Sequence, residues 1–274
     1  IFLTCLKPCD VMSNCTKSVV NRLYEIPCKV DNPEEDFHTM YTILPIALTV
    51  IFTLFLWVGG NVSSKIGITV SPNSYVNEQV EYQVILLIIT GFSLLMTYLL
   101  NKPSFEEHFS FGKISNPSNE LKLFGIKQGD SWLKTGLSLC LVITGVTALF
   151  MYIQLKKFNV DWSILQGGII WILLLSITNS FGEEMIFRMG LVSPLKGLLA
   201  PGTIYLISGL LFGLAHAKGM PSGVIGMSLA GLLGYVLAKS VYETQGFFWA
   251  WTIHFLQDVV IIGSLYLMNA GKSA

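Results

Sequence analysis

The fold class predicted is all-α: a polytopic membrane helix bundle of about seven transmembrane helices. Three observations predict it. Of the 274 residues, 52% are hydrophobic and only 12% are charged, where a soluble domain carries about a quarter. The mean hydropathy is +0.61. The apolar residues also gather in runs of about twenty, the length that crosses roughly 30 Å of hydrocarbon. Lys plus Arg and Asp plus Glu both number 17, so the formal net charge is zero. No basic surface argues for nucleic acid.

Residues 1–38 are polar, end in the acidic run Asn32-Pro33-Glu34-Glu35-Asp36, and contain Cys5, Cys9, Cys15 and Cys28. They hold too few apolar residues to bury a core, which makes them a tail rather than a domain. The cysteine spacing matches no common zinc pattern. The first span, about Met40 to Val58, contains no charge. A loop over 59–81 with Gly, Ser and Pro leads to the second span, about Tyr82 to Leu100. The polar connection 101–131 precedes the third, about Trp132 to Tyr152, which Lys156-Lys157 closes. Together, residues 39–160 read as an N-terminal unit of three spans.

Residues 161–274 form the second unit. Its first helix, the fourth span, starts near Asp161 or Trp162 and stays helix-compatible to about Met189. That is longer than one crossing needs and implies tilt, a kink or a wet end. Pro201-Gly202 opens the fifth span, because proline is tolerated in a first helical turn, and the span runs to about His216. After the break Lys218-Gly219-Met220-Pro221-Ser222, the sixth covers about Gly223 to Ala238 and the seventh about Phe247 to Met268. With the N-terminus inside, twelve of the seventeen Lys and Arg fall on inner segments, the orientation that the positive-inside rule favours. The expected location is integral and multi-pass, in the plasma membrane if the source is bacterial.

Ionisable residues within the spans gather in this second unit: Glu183, Glu184 and Arg188 on the fourth, His216 on the fifth, His254 and Asp258 on the seventh. Each costs about 2.5–3.5 kcal/mol to insert, even on lenient scales, so such groups pair or line a polar cavity. Glu184 and Arg188 are four apart on one helix face and form a supporting ion pair. Glu183 points about 100 degrees away and is left free. A carboxylate partly out of water is a better base near neutral pH than an exposed one. With His216 it can activate a water. His254, with Asp258 four residues on, can donate to a developing oxyanion. Phe212 reads as packing that fixes the His216 rotamer.

Glu183-Glu184-Met185-Ile186-Phe187-Arg188, Phe212-Gly213-Leu214-Ala215-His216 and His254-Phe255-Leu256-Gln257-Asp258 resemble the three motifs of the CPBP intramembrane proteases. That superfamily contains CAAX-processing endopeptidases and bacteriocin-immunity proteins. The resemblance covers about residues 165–268. It implies an intramembrane endopeptidase acting on a membrane-associated or lipidated, CAAX-like peptide or protein, with the bilayer as the other partner. Glu183 and His216 would activate water, Glu184 and Arg188 would support, and His254 with Asp258 would serve the oxyanion. The eukaryotic enzymes carry Asn where this chain has Asp258, so Asp258 must be protonated, orient His254, or leave the oxyanion to His254. The rhomboid Gly-x-Ser-Gly is missing, since Leu206 precedes Ile207-Ser208-Gly209.

Two His and two carboxylates could in principle bind zinc. No His-Glu-x-x-His occurs, however, and metal-independent hydrolysis without a cofactor is favoured. The alternative function is non-catalytic: a scaffold, a bacteriocin-immunity factor or an ion-coupled carrier using the same cluster. One expectation conflicts with a shared site. Counted along the spans, Glu183 falls about 30 Å from residue 163 and His216 about 22 Å from Pro201, arriving from the opposite side. On these boundaries the two differ in depth.

Overall fold

The computed structural model describes residues 33–62, 66–158 and 160–270. The cysteine-bearing tail of the sequence reading lies outside the described residues up to residue 32. The chain folds into helices α1 (Pro33–Val62), α2 (Ser74–Leu100), α3 (Lys102–His108), α4 (Trp132–Leu155), α5 (Leu165–Glu184), α6 (Gly190–Leu195), α7 (Pro201–Ala215), α8 (Gly223–Thr244) and α9 (Phe248–Ala270). Six stretches among the described residues are long and apolar enough to cross a membrane: His38–Gly60, Ser74–Leu100, Trp132–Leu155, Trp162–Leu195, Gly223–Thr244 and Phe248–Asn269. Large apolar side chains such as Leu137, Leu141, Ile170 and Val224 face outward, as lipid-facing positions must where the solvent is hydrocarbon. The chain is an integral, multi-pass membrane protein.

Helix starts follow local capping. The Asn73 side chain accepts from the Tyr75 N–H at 3.0 Å, and the Ser131 hydroxyl accepts from the Leu133 N–H at 3.2 Å. Each satisfies a donor that the first turn leaves free. α2 starts at Ser74 rather than near Tyr82, because Glu81 is buried inside the fold and accepts from the Ile68 N–H at 2.6 Å. α8 likewise runs past Ala238 to Thr244. Lys239 and Glu243, four apart, pair with each other within the buried part of the helix. Glu243 also accepts from Trp132 Nε1 at 2.9 Å and from Asn119 Nδ2 at 2.9 Å, which fastens the 109–131 connection to this end of the bundle.

The fourth span is one rod of 34 residues, Trp162–Leu195, with a π-helical turn over Met185–Met189. The turn leaves backbone carbonyls out of register, and Ser208 on α7 donates to the Phe187 carbonyl at 2.8 Å. Single π turns of this kind are frequent at functional sites. The rod is six residues longer than the sequence indicated. Arg188 resembles a helix end in the sequence but is fully buried.

That length removes the conflict over depth. From Glu183 to Leu195 is twelve residues, about 18 Å, and from Pro201 back to His216 is fifteen, about 22 Å. The chain goes down and returns by nearly equal runs, so the two side chains meet at one level.

α7 has 15 residues and ends in a 3-10 turn over His216–Lys218. It is therefore shorter than the six spanning stretches; one face packs along α8, while Leu206, Leu210 and Leu214 stay exposed. A Cβ added to Gly209 would come within 2.7 Å of the Gly231 carbonyl oxygen, and one on Gly213 within 2.5 Å of that of Met227. Only the missing side chains let the two backbones approach so closely. The main core, with Phe187, Leu191, Phe212, Leu237, Trp249 and Ile253, surrounds the π turn.

Candidate active site

The site is built around the end of α5. α2 fixes that end through polar ties: Gln83 Nε2 donates to the Leu175 carbonyl at 2.8 Å, and the Thr178 hydroxyl bonds to Gln83 Oε1. A Cβ on Gly182 would meet Leu86 at 2.8 Å, so glycine lets α2 lie directly against this turn. Glu183 and its neighbour then project in different directions, as their 100-degree offset requires.

Glu183 keeps one oxygen tied and one untied. Asn179, one turn earlier, donates to Glu183 Oε1 at 3.2 Å and to Asp258 Oδ2 at 3.0 Å, bridging the two acids. Glu183 Oε2 is buried and accepts no hydrogen bond from the protein. It lies 3.6 Å from His216 Nε2 and 3.8 Å from His254 Nε2, beyond direct hydrogen-bond range. A water contacting both Glu183 Oε2 and His216 Nε2 fits these separations.

His216 is oriented by its own helix. Its Nδ1 lies 2.8 Å from the Phe212 carbonyl oxygen. A carbonyl only accepts, so Nδ1 carries the proton and Nε2 offers its lone pair toward Glu183. The ring also packs on Phe212, with centroids 4.2 Å apart. Its side chain is 32% exposed, against 11% for Glu183, so His216 forms the wet wall of the site.

Glu184, Arg188 and His254 form a buried chain. Arg188 Nε lies 3.0 Å from Glu184 Oε2, an ion pair rather than a directed hydrogen bond. The guanidinium sits 4.0 Å from the centre of the Phe212 ring, a cation–π contact strengthened by exclusion of water. Glu184 Oε1 accepts from His254 Nδ1 at 2.7 Å. The acid expected to pair with Arg188 thus also holds the third-motif histidine. Asp258 Oδ1 is 3.6 Å from His254 Nε2, too far to orient the ring by a hydrogen bond. Phe212 also packs edge-on against His254, with centroids 5.6 Å apart, so this one ring touches both histidines and the arginine.

Residues 165–260 match the family model described as type II CAAX prenyl endopeptidase Rce1-like. This part of the chain is similar to the Rce1-like family. No curated protein and no solved structure matches the chain. The matched region runs from the start of α5 into α9, carries all three motifs and spans about a third of the chain. α1, α2 and α4 lie outside the matched residues, yet they supply walls to the site.

Two cavities flank His216 in the Rce1-like region. One, of about 370 Å³, is lined by Thr53, Trp57, Tyr82, Glu183, His216 and Lys218, among others. The other, of about 200 Å³, lies between α4, α8 and α9, with Phe150, Met220, Leu229, His216, His254 and Asp258 in its wall. Glu183 faces the first and Asp258 the second. Sequence reasoning missed Asn179, Trp57 and Tyr82. Only Asn179 left a signal, a polar side chain four residues before Glu183 in an apolar run. Among the described residues, no group of three or more His, Cys, Asp or Glu is placed to hold a metal ion.

Proposed function

We propose that the protein is an intramembrane endopeptidase of the glutamate type, which hydrolyses a peptide bond of a membrane-associated or lipidated, CAAX-like substrate. The observation that carries this reading is Glu183 Oε2: buried, without a protein donor, and 3.6 Å from His216 Nε2.

A water bound there gives one hydrogen bond to Glu183 and one to the His216 lone pair. As its oxygen attacks the substrate carbonyl carbon, Glu183 takes a proton. The carbonyl oxygen becomes an oxyanion, and His254 Nε2, 3.8 Å from Glu183 Oε2, donates to it in its imidazolium form. Asp258 and Glu184 flank that ring with carboxylates. The tetrahedral intermediate then breaks its C–N bond, and the proton held by Glu183 passes to the leaving amine. Arg188 and Phe212 act by holding Glu184 and the two rings.

The same reading makes hydrolysis metal-independent. It also leaves the oxyanion to His254, since Asn179 already holds Asp258 through Oδ2. Mass-spectrometric profiling of membrane-peptide cleavage in cells carrying wild type or Glu183→Ala tests the assignment. The expected result is a set of new C-termini present only with wild type. An identical set in both strains rules it out.

A further inference from the structure

The two faces of α7 have different neighbours. Ser208 and Phe212 turn inward, to the π turn and the histidines, while Leu206, Leu210 and Leu214, one helical turn apart, stay exposed. Beside those leucines runs a groove of about 610 Å³, whose other wall is Val224, Met227 and Leu232 of α8. It is larger than either cavity at His216 and shares no lining residue with them. A third element closes one end: Leu121, Leu123 and Phe124, on the 3-10 turn of the 109–131 connection and the residue before it. That turn is held in place. The Leu121 N–H donates to the Ile126 carbonyl at 2.9 Å, and Asn119 donates to Glu243 near the end of α8 at 2.9 Å. Leu123 nevertheless stays 74% exposed.

The medium and the rim define the occupant. A face of this kind in a membrane protein meets hydrocarbon, and the volume lies within the range of about 300–1,000 Å³ typical of ligand pockets. Lipid tails are as apolar as leucine, so hydrophobicity alone selects nothing here. Selection comes from shape and from charge at the end where a tail joins its headgroup. Lys122, between the lining residues Leu121 and Leu123, stands at that end. Its side chain is 86% exposed and its Nζ is 3.9 Å from Glu120 Oε2, a surface contact that solvent weakens. The connection carries Lys113, Lys122 and Lys127 against Glu120 and Asp130, one positive charge in excess. No acidic residue lines the groove.

We propose that the groove between α7 and α8 binds one acyl chain of an anionic phospholipid from the leaflet beside the 109–131 connection, with the phosphate on Lys122. The chain lies along Leu206, Leu210 and Leu214 and fills the outer side of α7, whose inner side carries Phe212. The lipid thus braces the short helix that ends just before His216. This goes beyond the endopeptidase reading and does not depend on it.

The test is native mass spectrometry of the purified full chain in detergent with equal amounts of phosphatidylglycerol and phosphatidylcholine. Wild type is expected to retain one lipid per chain and to favour phosphatidylglycerol about fivefold, the effect of one lysine near an anionic surface. Lys122→Gln, a change at an exposed side chain, should bring that ratio close to one. Ser228 is an exposed residue of the α8 wall, and Ser228→Trp fills the groove, so it should abolish retention of either lipid. Added phosphatidylglycerol should raise the unfolding midpoint of wild type and leave that of Ser228→Trp unchanged. A lipid ratio that Lys122→Gln leaves at its wild-type value overturns the proposal, and so does a lipid count that Ser228→Trp leaves unchanged. A farnesylated peptide that displaces the lipid assigns the groove to the substrate and overturns it. A dimer that Ser228→Trp dissociates assigns the groove to a second copy and overturns it as well. None of these readouts uses cleavage, so failure here leaves the protease reading intact.

Discussion

His254 Nδ1 lies 2.7 Å from Glu184 Oε1, so the second acid of the Glu-Glu pair orients the histidine 70 residues downstream while pairing with Arg188 one turn along its own helix. Charge passes from guanidinium to carboxylate to imidazole within a fully buried row. Glu183, next in the chain, is left with an untied oxygen in front of that row.

The row behaves as a unit under mutation. Arg188→Met removes the partner of Glu184 Oε2, leaves His254 on Oε1 as the remaining neighbour of a carboxylate in the core, and should cost about 3–5 kcal/mol. The double variant Arg188→Met with Glu184→Gln removes the stranded charge and should recover part of that loss, giving a coupling of about 1–3 kcal/mol. Thermal unfolding in detergent measures both. Cleavage should stay low in the double variant, because His254 then lacks its carboxylate.

Asn179 donates to Glu183 and Asp258 at once. Asn179→Leu keeps the volume and removes both contacts. We expect kcat to fall about 10- to 100-fold, in line with the loss of one to two hydrogen bonds to charged groups, with KM and membrane insertion little changed. A steady-state kinetic comparison in vesicles reads the split.

Gly213→Ala would place a methyl within 2.5 Å of the Met227 carbonyl oxygen. The backbone cannot yield cheaply there, so α7 must move away from α8 and carry His216, three residues on, with it. The expected cost is about 1–3 kcal/mol of stability. A fall in kcat larger than that of an equally destabilised variant elsewhere would show that His216 has moved.

His108, the last residue of α3, lies outside the spans and is fully buried, with its ring nitrogen 2.7 Å from the Ser104 carbonyl. Burial, chiefly, and then Lys196 hold its pKa below the ordinary histidine value of 6.5, while the Ser104 bond and Glu107 act in the opposite sense. The unfolded chain therefore binds this proton before the folded one does. Stability contributed at neutral pH is lost as pH falls below about 6.5. Unfolding midpoints between pH 7.5 and 5 should drop for wild type, and His108→Leu should flatten the curve.

The positions of Glu183, Glu184, Arg188, His216, His254 and Asp258 were legible because charge in an apolar run is costly and helical spacing sorts the charges by face. What those residues touch was less legible. Glu184 reaches His254 across the bundle, a tertiary contact that no spacing encodes. Charge also misled the boundaries. Arg188 and Lys239 resemble helix ends, yet both are buried and their helices continue, because Glu184 and Glu243 neutralise them within a turn. Asn179 carries no charge, so its position in the apolar run drew no attention. The close packing of α7 on α8 did leave a trace in the sequence, Gly209 and Gly213 four residues apart on one helix face.

The central claim is that Glu183 activates the attacking water. The most direct measurement is the single-turnover cleavage rate of a membrane-peptide substrate by purified wild type and Glu183→Gln, matched for thermal stability and insertion. Glu183→Gln keeps the shape and the Asn179 contact but removes the base, and a loss of about 10³-fold or more is expected. A rate within a few-fold of wild type would contradict the account and leave the cluster with a binding role alone.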